Sequence, residues 1–201
     1  ARDVWFVVAL PVFLSQTLNW SHTQTGGFLA LWVVGYGAVQ AIAPRITGRD
    51  RESVPDGRSA TRWAAGLAIL PALIALGLVT TEMSPALILI GGLLLFGALF
   101  AVNSSLHSYL IVSYAGSDGV SLDVGFYYMA NAMGRLIGTV LSGWVFQLAG
   151  QGANGLAACL WISGGMLIAT VIISLGLPKK AHPGPHGTEP QGSKPEGKTP
   201  Q

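Results

Sequence analysis

Arg135 lies inside an apolar stretch, where a charged residue calls for an explanation. The helix that contains Arg135 is predicted to begin near Val124. Arg135 then lies about 16 Å from the helix start, at roughly 1.5 Å per residue. A charge at that depth of a bilayer is costly and marks a cavity or pathway. No Asp or Glu lies deep in an apolar stretch to neutralise it. Because a guanidinium binds phosphate or carboxylate in a fork, Arg135 predicts an anion site; a structural ion pair or snorkelling towards the cytoplasm is the alternative.

Further polar side chains accompany Arg135 on the same predicted helix. Tyr127, Asn131 and Arg135 are spaced by four residues, so they share one helix face. Tyr128 flanks this stripe. We therefore expect these side chains to face the same cavity as Arg135 and to bind the substrate with it.

A second polar group comes from two other predicted helices. Asn103 and His107 are four residues apart, and they can hydrogen-bond substrate oxygens or neighbouring helices. His107 can also carry a proton, because imidazole titrates near neutral pH. In the second predicted helix, Tyr36 and Gln40 have the same spacing and are further candidates for substrate binding.

Several classes of chemistry are unsupported by the sequence. The single cysteine, Cys159, excludes an intrachain disulfide or a cysteine-cluster metal site. No Gly-x-x-x-x-Gly-Lys-Ser/Thr, His-Glu-x-x-His or Gly-x-Ser-x-Gly motif occurs. We therefore expect no cofactor, no bound metal and no enzymatic activity. The basic stretch 45–62 is explained by membrane orientation, so nucleic acid is not expected as a partner.

The elements that position these residues are predicted to be membrane helices. Hydrophobic residues make up 51% of the chain and charged residues 10%, whereas soluble domains carry about 25% charged residues. No stretch alternates as barrel strands do. A helix needs about 20 apolar residues to cross the hydrocarbon core. Six stretches qualify or nearly do, and they are 4–18, 26–43, 63–79, 85–112, 124–148 and 155–177.

The basic residues give the orientation of these six helices. Lys and Arg number 11. All of them except Arg135 fall on one side when the chain is threaded six times through a bilayer. The positive-inside rule makes that side cytoplasmic, so both termini are predicted to lie in the cytoplasm and the chain in the inner (plasma) membrane.

The apolar part of the chain and its polar C-terminal end are expected to differ in structure. Residues 1–178 are predicted to form one six-helix domain, and residues 179–201 a disordered cytoplasmic tail. The start of the chain is expected to be that of a truncated or split protein. Trp5 and Trp63 are expected at the cytoplasmic interface, and Trp20 at the outer one. Asp123 is expected just before the fifth helix, where the helix N-terminus favours its charge. Pro11 and Pro71 are expected to kink the first and third helices.

A row of small residues on the fifth helix is expected to let a neighbouring helix pack closely, and it consists of Gly134, Gly138 and Ser142.

This pattern resembles the C-terminal half of a major facilitator superfamily transporter. Such transporters consist of two six-helix halves with the substrate site between them. Residues 43–51 resemble the loop between helices eight and nine of that fold. The resemblance implies a separate or missing N-terminal six-helix half as a partner, beside the lipid bilayer and a small anionic substrate.

A narrower resemblance is to the organoarsenical efflux permeases of the ArsJ family, and it covers most of residues 3–178. It is carried by residues 7–14 (VVALPVFL), 26–37 (GGFLALWVVGYG), 103–110 (NSSLHSYL), 125–132 (GFYYMANA), 134–136 (GRL) and 159–161 (CLW). It implies export of 1-arseno-3-phosphoglycerate, supplied by a glyceraldehyde-phosphate dehydrogenase, in arsenate resistance. The chain has half the helices of that family. Two alternatives stay open: efflux of another organic anion or drug by the same fold, and a truncated membrane fragment that does not transport.

Overall fold

Six helices follow one another in the computed structural model, which describes residues 4–46, 57–114 and 120–176. The predicted all-α class with six helices is confirmed, and these ranges contain no strand. The elements are a π-helical turn Trp5–Ala9 leading into α1 (Leu10–Gln16), then α2 (His22–Ile46), α3 (Gly57–Thr80), α4 (Pro85–Tyr114), α5 (Val120–Leu148) and α6 (Gly152–Ser174). Four of them, α2, α3, α4 and α6, are long and apolar enough to cross a membrane.

Helices α2 to α5 extend beyond the apolar stretches that predicted them, whereas the first helix, Trp5–Gln16, is shorter than its stretch 4–18. The basic stretch 45–62 is not all loop, since Arg45 lies in the last turn of α2 and Arg62 lies in α3. Long basic side chains favour helix and reach water from its ends, so charge alone does not end a helix. Asp123 lies in the first turn of α5 rather than before it, where the helix N-terminus favours its charge. The predictions for residues 1–3, 47–56 and 177–201, including the tail, lie outside the described residues.

The start of α2 is fixed by a reciprocal cap that hydropathy does not show. The Ser21 backbone N–H donates to Gln24 Oε1 at 2.8 Å, and the Gln24 N–H donates to Ser21 Oγ at 3.2 Å. Such a capping box satisfies two helix-end donors at once. Residues 21–25, predicted to be a loop, are therefore mostly helical.

Helix α4 packs between α2 and α3, while α3 packs closely against α6. The Trp32 indole N–H of α2 donates to the Leu93 carbonyl of α4 at 2.7 Å. A Cβ at Gly97 would lie 3.0 Å from the Trp32 ring. Glycine at this position therefore lets the indole lie directly against α4, as small residues do at membrane helix contacts.

The first helix begins in a widened register. The Leu10 N–H donates to the Trp5 carbonyl, five residues back. Pro11 explains this geometry, because it has no N–H for the Val7 carbonyl and its ring crowds that carbonyl. The predicted effect of Pro11 is thus realised as a π-helical turn, a feature common at functional sites.

Trp5, which was predicted to lie at the cytoplasmic interface, is packed inside the chain. Its side chain is 1% exposed and lies in an aromatic cluster. The rings of Phe6, Trp32 and Phe96 meet it edge-on, with centroids at 5.2, 6.0 and 5.3 Å. Edge-to-face packing of this kind stabilises aromatic cores. Hydropathy cannot distinguish a buried tryptophan from an interfacial one, because both lie near the end of an apolar stretch.

Candidate substrate site

Arg135 lies near the middle of α5. It follows Val120 by 15 residues and precedes Leu148 by 13, so it is about 20 Å from either end of the helix at roughly 1.5 Å per residue. The earlier start of α5 therefore places Arg135 farther from the helix start than the sequence predicts. Its side chain is exposed, and no described residue pairs with its guanidinium.

The face of α5 that carries Arg135 is uncovered in the first half of the helix and buried in the second half. Ser142 follows Arg135 by about two turns, so the two share this face. At the level of Gly138, Ser142 and Phe146 the face is buried against the π-helical turn and α6. The predicted packing role of Gly138 and Ser142 is confirmed there, whereas Gly134 is only half-buried.

The first half of the same helix is uncovered. From Ser121 to Ile137 no side chain is buried by the described chain. Asn131 and Arg135 are exposed, Tyr128 is 63% exposed, and Tyr127 is half-buried with its ring 5.4 Å from that of Tyr128. The predicted polar stripe on α5 is thus uncovered by the described chain, as are the residues on the other sides of this half of the helix.

The second predicted group lies on α2 and α4. The Tyr36 ring stacks on Trp32 at 5.9 Å and 13°, and it meets Phe100 at 5.2 Å. Gln40 follows one turn later and is half-buried. Together these residues form a wall that is aromatic in the middle and polar at one end.

Asn103 is the buried polar residue of this wall. It is 2% exposed, and its Oδ1 has no hydrogen-bond partner among the described residues. Its backbone carbonyl lies 2.8 Å from His107 Nδ1. Because a carbonyl only accepts, Nδ1 carries the proton in this contact. A buried amide oxygen without a donor costs free energy, and a bound molecule can remove that cost.

The two groups stand on separate walls. No Cα atom of α2 lies within 8 Å of one in α5 across the described ranges, although α4 and α5 contact each other. The π-helical turn contacts both sides. Trp5 reaches the aromatic cluster on α2 and α4, while the backbone at Val8 and Ala9 contacts α5 through Ser142.

Trp5 and Ser142 connect the two walls, and neither is predicted as a site residue from the sequence. For Ser142 the sequence offers one indication of a role near the site, because its spacing places it on the helix face of Arg135. For Trp5 the sequence offers none, because only the packing shows what its ring contacts. Among residues 4–46, 57–114 and 120–176, no group of three His, Cys, Asp or Glu side chains is placed to hold a metal ion.

Apolar helices long enough to cross a bilayer, with polar side chains and a mid-helix arginine on an open face, define a multi-pass membrane protein of the transporter class. The profile of the Major Facilitator Superfamily matches residues 3–200, and the chain belongs to that superfamily. Its members move small molecules across lipid bilayers and are generally not enzymes. No curated protein matches the chain.

Proposed function

We propose that this chain is the C-terminal half of a transporter that exports a phosphorylated organic anion, 1-arseno-3-phosphoglycerate, and thereby confers arsenate resistance. The observation that carries the proposal is the open polar face of α5. There an exposed arginine at mid-helix has no partner among the described residues and is accompanied by Asn131 and Tyr128.

The chemistry of this face suits such an anion. The substrate presents a phosphate, an arsenate ester and a hydroxyl group. Arg135 can bind a phosphate oxygen pair through its fork, while Asn131 and the two tyrosines supply further hydrogen bonds. Asn103, His107, Tyr36 and Gln40 are proposed to line the opposite wall. Cys159 is the one cysteine and is fully buried, which argues against capture of trivalent arsenic, since that needs several exposed soft ligands.

A second six-helix half is proposed to cover the open face. Exposing an arginine to lipid costs about 2.5–3.5 kcal/mol on insertion scales. Facing a water-filled cavity between two halves removes that cost, and this is where transporters of the superfamily bind substrate. Arg45, Arg58 and Arg62 are exposed at the connected ends of α2 and α3, which supports a cytoplasmic placement of that side in the plasma membrane.

Arsenate tolerance of a sensitive cell tests this function. The cell expresses glyceraldehyde-phosphate dehydrogenase together with the chain, either alone or with the N-terminal six-helix half of an organoarsenical permease. We expect growth at arsenate concentrations that stop the control cell, only when both halves are present. The Arg135→Gln variant should lose this growth, whereas Met133→Leu, on the opposite face of α5, should keep it.

Three other outcomes would change the proposal. Tolerance with the chain alone would show that the chain forms a complete transport pathway by itself. That result would contradict the proposal that it is one half of a transporter. Tolerance that Arg135→Gln retains would remove the arginine from the site. Membrane insertion of both halves without any tolerance would contradict export of the arsenical, and would favour another organic anion or drug as substrate or a chain that does not transport.

A further inference from the structure

Ser142 joins α5 to the π-helical turn through an unusual contact. Its side chain is fully buried, and its Oγ accepts the backbone N–H of Val8 at 3.2 Å and that of Ala9 at 3.0 Å. A hydroxyl has two acceptor lone pairs, so one serine can receive both donors. The only long-range side-chain acceptor seen for this turn in the described chain is therefore Ser142.

The same region of α5 is also tied to α6. The Ser142 backbone carbonyl lies 3.6 Å from the Cys159 Sγ, which donates to it. A Cβ added at Gly143 would lie 3.7 Å from the Val8 side chain, an ordinary contact that shows how close the first helix approaches. Ser142 is thus fixed by its backbone on one side and holds the π-helical turn with its hydroxyl on the other.

The turn in question decides where two aromatic side chains lie. Trp5 and Phe6 belong to it, and both rings contact Trp32 of α2, at 6.0 and 4.8 Å. Trp32 in turn stacks on Tyr36. A change of register between π- and α-helix would rotate Trp5 relative to this stack, because one residue corresponds to about 100° of helix.

We propose that Ser142 is a positioning residue for transport. Its hydroxyl holds the π-helical turn in place through the bonds to Val8 and Ala9, a contact called the latch below. The turn held in this way sets the position of α5, which carries Arg135, relative to the wall that carries Tyr36. The role in transport rests on the proposed function, whereas the latch itself does not.

Hydrogen exchange of the full chain in lipid nanodiscs tests the latch. Ser142→Ala should speed exchange of the Val8 and Ala9 amides by about tenfold, since both lose their buried acceptor. Thr139→Val is the matched control. It removes a hydroxyl from the same helix, whose partner is the Arg135 carbonyl at 3.0 Å, and should leave exchange at Val8 and Ala9 unchanged. Equal exchange in Ser142→Ala and the parent chain would overturn the latch.

Transport kinetics test the positioning role. Everted vesicles from cells that hold both halves are given 3-phosphoglycerate as the probe. Ser142→Ala should lower the maximal uptake rate per folded molecule about tenfold while the half-saturation concentration stays within about twofold, because the anion site on α5 is intact. Ser142→Thr, which keeps the acceptor, should restore the rate.

Pro11→Ala provides an independent variant should Ser142→Ala fail to fold. It supplies the missing N–H to the Val7 carbonyl and should relax the turn towards α-helix, with the same loss of rate. Faster exchange with normal uptake in these variants would overturn the positioning role and leave only the latch. Parent vesicles that take up no 3-phosphoglycerate would contradict a site that accepts phosphorylated anions in general, and with it the role of Ser142 in their transport, while the exchange result would still decide the latch.

Discussion

Replacing Arg135 with glutamine is expected to raise the half-saturation concentration for 3-phosphoglycerate by about 10–100-fold. Hydrogen bonds to a charged group contribute about 1.5–3 kcal/mol each, and about 1.4 kcal/mol is tenfold in affinity. Glutamine keeps a donor but loses the charge and the fork. It is also cheaper than arginine inside a membrane, so the variant should insert as well as the parent chain. Uptake into everted vesicles measures the effect.

The conservative variant separates charge from geometry. Arg135→Lys keeps the positive charge but replaces the planar fork by a point charge, so its half-saturation concentration should lie between those of the parent and of Arg135→Gln. Met133→Gln provides the matched control, because Met133 lies two residues away on the opposite side of α5 and is 56% exposed. Parental uptake by Arg135→Gln would show that the arginine does not bind the anion.

A cysteine placed at Asn131 is expected to react with a membrane-impermeant thiol reagent, and one placed at Met133 is not. The first position lies on the face of Arg135, proposed to line a water-filled cavity, and the second on the opposite face, proposed to meet lipid. Reactive thiolates form only in contact with water, so the labelling rates should differ by on the order of tenfold or more. The assay is run on membranes that hold both halves.

The parent chain should give no labelling of its own in this assay. Cys159 is the one native cysteine, and it is fully buried, so the parent protein should not be labelled. Equal labelling at positions 131 and 133 would indicate that the polar face of α5 is not set apart from its lipid-facing side. Labelling at position 133 alone would reverse the assignment of the two faces.

Four of the helices, α2, α3, α4 and α6, could be predicted from the sequence because the bilayer imposes a length that their apolar residues meet. Apolar stretches approach the thickness of the hydrocarbon core, and α4 is the clearest example. The helix ends could not be predicted as well. Arg45 and Asp123 lie within helices, since charged residues near water are tolerated there. The capping box of Ser21 and Gln24 also lengthens α2 without an apolar signal.

The candidate site could be predicted only within single helices. The spacing of four residues places Asn131 and Arg135 on one side of α5, and both side chains are exposed in the folded chain. What lies beside that face depends on how helices pack, and helical spacing carries no such information. The burial of Trp5 and the two amides bound by Ser142 arise from that packing, so they became visible only in the folded chain.

Protection of the Asn131→Cys variant by 3-phosphoglycerate tests the central claim most directly, because it joins the cavity to the anion. The labelling rate is measured with increasing anion, in the presence of both halves. We predict that the anion slows labelling several-fold in this variant, and that protection disappears when Arg135→Gln is added. Labelling that millimolar anion leaves unchanged, or protection that survives without the arginine, would contradict an anion site built around Arg135.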